Sequence, residues 1–476
     1  MLLFSLILIV SLDRYLVIAS HFRGGAIFWR PSSNVTSVLN TPKTIIIDQR
    51  YAWSKSVSAS ACTTAKILSY GPIGDSSDNT VDCLSSALTC TTAQYPSNVS
   101  AYVPCTDFNN LLGMSYGYSS TSVNLTVLAS GLAVGYSSVG SWLSLQLKGT
   151  GGWSLVAYIN MKPRTDNSLI NSSPTSDMPA VNYVPADITM TVSIDIPMSD
   201  ADEDDIECRF ALSSNTLAGI TVDECGEVCR AQALPASTQL ISGNNTCTLI
   251  VNLTNIGYYA VAIQLEDFLP GSTTLLSSVP LQFLLLTYDT SNPTSSCALA
   301  PVIVSIPPDL PSAGDTVTVQ VTVLYTAMVI AQTGCSNDTD TSISNFITSS
   351  PPGMLKTNLP FALAPPAYAI NLTWTPSIDQ LGKTFKFCTI AVDSNYYSSS
   401  QFCFYLFVGP KTTTTTTTST TTTTTTSSTS TTSRTTSTSS TSRTTSTSTT
   451  SATTTSTTSK TTSTTTTTAA ISKLQV

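Results

Sequence analysis

The chain has little charge and almost no histidine. Of its 476 residues 10% are charged, and His21 is the one histidine. A catalytic Ser-His-Asp or Cys-His arrangement therefore has no base unless that residue supplies it. A copper site built on an N-terminal histidine would need a second histidine, which this sequence does not contain. We expect a structural or processing role for His21 and no enzyme activity.

Basic residues are scarce as well. Twenty Lys and Arg stand against 28 Asp and Glu, which gives a net charge of −8 and no basic patch. The electrostatic signature of nucleic-acid binding is therefore missing. A glycosidase would need only two carboxylates at a set separation, which sequence alone does not show. A carbohydrate-active enzyme is thus the least favoured function class.

Long apolar runs are missing beyond the N-terminus. The run Leu2–Leu12 and the small residues Ala19–Ser20 predict a signal peptide over residues 1–20, cleaved near His21. The charged pair Asp13–Arg14 argues against a spanning helix, which needs about 20 largely apolar residues. An N-terminal anchor is the alternative. The sequence predicts a secreted, extracellular product with no membrane span.

Cysteine is plentiful, with twelve residues in three clusters of four. In a secreted chain such clusters predict two disulfides each, with three pairings open per cluster. Zinc binding is the alternative, but only Cys225 and Cys229 have the spacing of a zinc knuckle. The twelve cysteines are Cys62, Cys83, Cys90, Cys105, Cys208, Cys225, Cys229, Cys247, Cys297, Cys335, Cys388 and Cys403.

Eight Asn-x-Ser/Thr sequons predict surface N-glycans, which would keep a chain so poor in charge soluble. They lie at Asn34, Asn98, Asn124, Asn171, Asn244, Asn252, Asn337 and Asn371. Each motif is weak by itself, and it is their number that favours a secreted glycoprotein.

Sustained helical periodicity is absent, and two-residue alternation predicts strands instead. The clearest strand is Ile188–Ile196, and Val279–Leu286 is apolar enough for a central strand. Trp142, Trp153 and Trp374 lie within predicted strands, so we expect them in the core, with a sugar-binding platform as the alternative.

These strands divide into three predicted units. Residues 21–163 form a β-rich domain, a polar linker covers 164–180, a β-sandwich with an acidic loop covers 181–291, and an immunoglobulin-like sandwich covers 297–410. The remainder, 411–476, is nearly all Thr and Ser. It cannot offset its ordering entropy by burial, so we expect a disordered, mucin-like tail.

Acidic residues are concentrated in one stretch. Six of the 28 lie between Asp200 and Glu207, where they repel one another, so Ca²⁺ is the first candidate partner. An EF-hand is excluded, because its loop needs Gly at the position of Asp205 and a bidentate Glu at that of Ala211. The flanking alternation places the stretch in a loop between two strands.

A calcium site in a β-sandwich draws its oxygen ligands from several loops. Asp195 precedes the acidic loop, and Glu266–Asp267 follows a predicted strand, so both positions join the candidates. The full candidate metal set is Asp195, Asp200, Asp202, Asp204, Asp205, Glu266 and Asp267. The alternative is a solvated acidic turn without a metal.

The residue patterns also resemble known families. The opening His21–Trp29 and the acidic stretch followed by Cys208–Phe210 resemble uncharacterised secreted proteins of invertebrate animals that open His-Phe-Arg-Gly-Gly. The segments Trp374–Pro376 and Ala391–Asp393 are similar to immunoglobulin-like and cadherin-like repeats. These resemblances imply a modular extracellular protein whose acidic loops hold Ca²⁺, and they supply no catalytic residue.

The sequence therefore predicts an all-β fold of tandem immunoglobulin-like or cadherin-like β-sandwich domains with a disordered Thr/Ser-rich tail. The expected function is adhesion or surface recognition by a secreted or extracellular-matrix glycoprotein that binds an extracellular protein or glycan. A structural mucus or coat protein is the first alternative, and a carbohydrate-active enzyme is the second.

Overall fold

A computed structural model describes residues 20–75, 80–86, 90–92, 94–96, 99–138, 140–291, 296–306, 310–335 and 339–411. Residues 1–19 of the predicted signal peptide (1–20), the Thr/Ser-rich tail from residue 412, and the sequons at Asn98 and Asn337 lie outside the described residues. So does the side chain of His21.

Strands account for 51% of the described residues and helices for 4%, which confirms the all-β prediction. The first strands are β1 (Ser20–Pro31), β2 (Pro42–Ser54), β3 (Pro72–Ile73), β4 (Thr80–Cys83), β5 (Val99–Ser100), β6 (Val103–Asn109), β7 (Met114–Thr126), β8 (Leu132–Ser138), β9 (Ser141–Trp142) and β10 (Trp153–Ile159). The next are β11 (Val181–Pro185), β12 (Val192–Asp195), β13 (Asp205–Phe210), β14 (Asn215–Leu217), β15 (Ile220–Val222), β16 (Gln239–Gly243), β17 (Thr246–Val251), β18 (Gly257–Phe268) and β19 (Leu275–Tyr288).

The last strands are β20 (Val302–Val304), β21 (Thr316–Gln320), β22 (Tyr325–Gln332), β23 (Ile343–Ser349), β24 (Leu355–Lys356), β25 (Phe361–Ala362), β26 (Ala367–Trp374), β27 (Thr384–Asp393) and β28 (Phe402–Gly409). The helices are α1 (Thr64–Leu68), α2 (Arg230–Ala233) and the 3₁₀ turns Gly226–Val228 and Ile378–Gln380. No helix among the described residues has the length and hydrophobicity to cross a membrane.

One sheet of fourteen strands runs through most of residues 20–288. Its main path, by hydrogen-bonded neighbours, is β3-β6-β7-β2-β1-β19-β10-β8-β4-β5. One edge of β19 pairs with two strands. It pairs with β1, where Gly25 lies opposite Gln282, and with β10, where Tyr158 lies opposite Ser278. On its other edge it pairs with β18. The apolar run Val279–Leu286 is therefore a central strand, as predicted.

The predicted linker at 164–180 does not separate two domains. Strands from before and after it share the fourteen-stranded sheet and one hydrophobic core. Within the segment Ile170 is 2% exposed, and the backbone amide of Trp29 donates to Ser173 Oγ at 2.9 Å. The predicted boundary is wrong because polar side chains can be buried once each has a hydrogen-bond partner.

The opening motif is explained by packing. Phe22 stacks on Trp153, with ring centroids 4.6 Å apart, and meets Trp142 edge-on at 4.8 Å. Two positions later Gly24 has a φ of +124°, and a Cβ there would lie 2.4 Å from the carbonyl oxygen of Gln282. Only glycine lets β1 approach β19 this closely.

Residues 302–409 form a β-sandwich of two sheets. One sheet has the order β20-β22-β26-β24 with β25 on β26, and the other has the order β21-β28-β27-β23. Val329 and Leu372 from the first sheet share a core with Phe387 and Phe404 from the second. The outer side of the second sheet packs on the fourteen-stranded sheet, since Ile390 belongs to the large core.

Six disulfides use all twelve cysteines, two within each predicted cluster, which confirms the prediction. Cys388 and Cys403 lie directly opposite each other on the antiparallel strands β27 and β28. The pairs are Cys62–Cys105, Cys83–Cys90, Cys208–Cys247, Cys225–Cys229, Cys297–Cys335 and Cys388–Cys403.

The strand predicted over Ile188–Ile196 is shorter in the structure. Only Val192–Asp195 is a strand, β12, and its one partner is β17. Ile188 is 76% exposed, whereas Ile196 is buried. The apolar residues at the start of the run therefore have no core to pack against, so they do not form a strand.

Candidate functional site

Three of the seven predicted metal ligands come together. Carboxylate oxygens of Asp200, Asp204 and Asp267 all lie within 4.8 Å of one another. Asp200 and Asp204 lie in the loop between β12 and β13, as predicted, and Asp267 lies near the end of β18. The cluster therefore brings together the acidic loop and the end of β18, which were both predicted to contribute to one metal site.

The other four carboxylates have separate hydrogen-bond or ion-pair partners. These are Asp195 with Thr248, Asp202 with Ser172, Asp205 with Gly271, and Glu266 with Arg209. Asp202 stays at the edge of the cluster, 3.7 Å from Arg164, while the remaining three face other parts of the molecule.

Arg164 supplies positive charge to the acidic cluster. Its side chain is 3% exposed, and its Nη2 donates to Asp204 Oδ1 at 2.7 Å while Nη1 donates to Asn171 Oδ1 at 2.7 Å. Sequence reasoning missed this residue, because it lies in the predicted linker, 40 positions from Asp204. Ca²⁺ needs about six to eight oxygens. Arg164 therefore supplies positive charge that the sequence-based hypothesis assigned to Ca²⁺, and calcium binding at this cluster is untested.

Burial raises the pKa values of all three acids of the cluster, Asp200, Asp204 and Asp267, and so favours their protonated forms. It raises the pKa of Asp267 to about 8 and that of Asp200 to about 6. Asp267 accepts from the amide of Ser277 at 2.5 Å and from Asn171 Nδ2 at 2.7 Å. Among the described residues no donor reaches the buried Oδ2 of Asp200. Asp200 and Asp267 therefore titrate between about pH 6 and about pH 8.

The predicted surface glycan at Asn171 is wrong for the folded chain. Asn171 is 1% exposed, and the nitrogen that a glycan would modify donates to Asp267 and to the carbonyl of Ser172. A glycan would need both space and that nitrogen. The described sequon asparagines that are exposed are Asn34, Asn124, Asn244 and Asn371.

The tryptophans do not form a sugar-binding platform. Trp142, Trp153 and Trp374 are at most 1% exposed, which confirms that they are core residues. Any ligand contact with aromatic rings must therefore come from other side chains.

A cavity of about 700 Å³ lies between the fourteen-stranded sheet and the sandwich. We call this cavity the cleft. One group of lining residues comes from β1, β2 and β7, and the other from β23 and β27. The segment 175–180, part of the predicted linker, also lines the cleft.

One carboxylate bridges cations from the two sides of the cleft. Asp177 accepts from Arg50 Nη1 at 2.9 Å and also pairs with the ammonium of Lys386. Burial alone would raise the pKa of Asp177, but the two cations together lower it below its ordinary value. Asp177 therefore links β2 and β27 through two ion pairs.

A buried polar cluster fixes the two sides of the cleft against each other. Asp107 on β6 accepts hydrogen bonds from Thr348 Oγ1 at 2.5 Å and Ser350 Oγ at 2.8 Å, and pairs with Lys356 Nζ at 2.9 Å. We call this set the clamp. Because Asp107, Thr348 and Ser350 are buried and hydrogen-bonded to one another, the clamp favours one placement of the sandwich relative to the fourteen-stranded sheet.

Aromatic faces accompany the cleft's cations. The Arg50 guanidinium lies 5.9 Å from the ring centroid of Tyr118, and Lys386 Nζ lies 5.2 Å from that of Tyr405. Each is within cation–π distance. The Tyr118 hydroxyl donates to Asp48 at 2.8 Å, so its ring is held in place.

No sequence signal points to the cleft. Arg50 and Asp177 are 127 positions apart, and Asp177 and Lys386 are 209 apart. Residues this far apart become neighbours only in the folded chain, so the sequence does not show the cleft. The acidic loop, in contrast, is recognisable from its local composition.

Comparisons with known proteins place this chain in no family. No protein-family model and no curated protein matches it. A Porphyromonas gingivalis protein of unknown function is similar at 10% identity and TM-score 0.22, over 49% of this chain and 99% of that one. The sialic acid binding region of a Streptococcus sanguinis adhesin is similar at 10% identity and TM-score 0.19, over 50% and 78%. Fibronectin(III)-like modules of Clostridium thermocellum CbhA are similar at 14% identity and TM-score 0.16, over 50% and 94%. TM-scores this low carry no argument about function.

Proposed function

We propose that this protein is a secreted, non-enzymatic recognition module that binds an extracellular ligand in the cleft. The observation that carries the proposal is the cavity of about 700 Å³ whose lining combines side chains of two β units. Ligand sites in proteins commonly have volumes of about 300–1,000 Å³ and lie at such junctions.

The clamp supports binding by a preformed site. Asp107 and Lys356 have side chains 3% and 9% exposed, so the walls meet through buried contacts rather than through mobile surface side chains. A site that needs little ordering loses less entropy when its ligand enters.

The lining chemistry favours binding over catalysis. Asp177 is the one carboxylate among the described lining residues, and its lowered pKa keeps it ionised. Glycoside hydrolysis ordinarily uses two carboxyl groups, one of them protonated near neutral pH. This lining offers no such pair.

Secretion is supported by the disulfides. Six bridges in one chain fit an oxidising, extracellular environment. The alternative is a purely structural mucus or coat protein, which would associate through its outer surfaces and bind no ligand in the cleft.

The proposal is tested by screening the full-length secreted chain on arrays of defined glycans and extracellular proteins. Ser349 is exposed and lines the cleft, so Ser349→Trp should weaken or remove the binding signal by obstructing part of the cleft. Ser213 is exposed and lies away from the cleft, which makes Ser213→Trp the matched control. No binding on either array, or equal loss in both variants, would contradict the proposal.

A further inference from the structure

We infer that the cleft takes an acidic saccharide, whose carboxylate or sulfate group replaces the carboxylate of Asp177 between Arg50 and Lys386. This inference rests on the proposed function and specifies the ligand class. Three features of the cleft carry it: its charge, the position of Asp177, and the polar and tyrosine side chains of its lining.

The charge of the cleft is opposite to that of the chain. The charged lining residues are the cations Arg30, Arg50 and Lys386 and the anion Asp177. The whole chain has a net charge of −8. Arg30 is paired with Asp48 at 3.3 Å, which leaves Arg50 and Lys386 against the single charge of Asp177. A locally positive cavity in a protein of negative net charge favours an anionic ligand.

Asp177 occupies the position that a ligand anion would take. It is held by a guanidinium from one side and an ammonium from the other, both partly exposed, with side-chain exposures of 35% and 26%. The backbone of the same segment is anchored separately, since Gln401 Nε2 donates to the Asp177 carbonyl at 2.6 Å. The carboxylate could therefore rotate away while the segment stays in place.

The backbone favours a saccharide over a peptide. Recognition of an extended peptide by strand addition uses the free hydrogen-bonding groups of an edge strand. Of the strands that line the cleft, β1 lies between β2 and β19, and β27 lies between β28 and β23. The lining strand β23 is an edge strand, but its Phe346 carbonyl already accepts a hydrogen bond from Asn109 Nδ2 at 3.4 Å. Side-chain hydroxyls, amides, cations and tyrosine faces remain for the ligand, which suits a sugar.

The test measures affinity of the full-length chain for four probes by isothermal titration calorimetry. Tetragalacturonate supplies carboxylates, and its methyl ester is the same sugar without charge. A κ-carrageenan tetrasaccharide supplies sulfate without carboxylate, so the first and third probes distinguish the two anion sources. Tetraglutamate represents an acidic peptide.

The inference predicts that at least one acidic sugar binds about tenfold or more tightly than the neutral ester, since charge-assisted hydrogen bonds are stronger than neutral ones. Asp177→Asn should raise that affinity, because it removes the competing carboxylate. Lys386→Gln and Arg50→Gln should lower it. A merely structural Asp177 would predict the opposite sign for Asp177→Asn, and the two cation variants keep the test valid if Asp177→Asn does not fold.

The failures are distinguishable. If the neutral ester binds as well as the acid, and Ser349→Trp abolishes both, the cleft binds a ligand but the inferred class is wrong. Tighter binding of tetraglutamate than of either acidic sugar would also overturn the saccharide assignment. If no probe or array ligand binds, the proposed function fails with it.

Discussion

Asp107 and Lys356 form an ion pair of 2.9 Å between β6 of the fourteen-stranded sheet and β24 of the sandwich. The Asp107 side chain is buried and that of Lys356 is 9% exposed, and the hydroxyls of Thr348 and Ser350 also donate hydrogen bonds to the carboxylate. The relative placement of the two β units, and with it the shape of the cleft, depends on this contact.

Lys356→Met should destabilise the protein by about 3–5 kcal/mol, because it leaves Asp107 buried without its cation. The midpoint of urea-induced unfolding measures this loss. The double variant that adds Asp107→Asn should recover much of it, since a buried pair replaced by neutral groups is often nearly neutral in stability.

An exposed ion pair provides the control. Lys148 and Glu227 lie 3.5 Å apart with side chains 29% and 57% exposed. Lys148→Met should therefore change stability by less than about 1 kcal/mol. If Lys356→Met is as mild as this control, the clamp does not hold the walls of the cleft.

Asn171 should carry no glycan in the secreted protein, because its side-chain nitrogen is buried and donates to Asp267. Enzymatic glycan release in ¹⁸O water labels each occupied asparagine, and mass spectrometry then reads it. Exposed Asn244 and Asn371 serve as comparison sites in the same digest. Quantitative labelling of Asn171 would contradict the buried placement.

Stability should fall as pH rises through the range set by Asp200 and Asp267. Burial raises their folded pKa values to about 6 and about 8, above an unfolded value of about 3.9. A raised folded pKa means that the native state binds more protons, so this contribution is complete below about pH 4 and is lost as pH passes 6 and then 8.

Melting temperatures between pH 5 and pH 9 measure this loss. Asp267→Asn keeps the shape of the protonated acid and should flatten the upper part of the profile. An unchanged slope in that variant would show that other groups govern the pH dependence.

Calcium should have little effect on stability, because Arg164 already neutralises Asp204. We expect the same melting temperature in excess EDTA and in millimolar Ca²⁺. A rise of several degrees in Ca²⁺, lost in Asp200→Asn, would instead support the calcium site that the acidic stretch predicted.

Local patterns were enough to predict the strand class, the disulfide clusters and the position of the acidic loop. Cys388 and Cys403 fall in two alternating runs whose hairpin brings them together. Likewise Val279–Leu286 is apolar on both faces because it is a central strand of a large sheet. In each case the physical signal lies within a few residues of the feature.

The remainder depends on contacts that no local pattern contains. The segment 164–180 is polar and was predicted as a linker, yet Arg164 and Asn171 are buried because the acidic cluster supplies their partners. Arg50 and Lys386 look like ordinary surface cations until the fold places Asp177 between them. Sequence reasoning therefore identified the acidic loop and missed the cleft.

The central claim, that a ligand occupies the cleft, is tested most directly by hydrogen–deuterium exchange of the full-length chain with and without the ligand found on the arrays. We predict slower exchange in segments 175–180 and 349–352, which line the cleft from its two units, and no change in 215–222, which does not line it. Protection confined to residues outside the cleft would contradict the account.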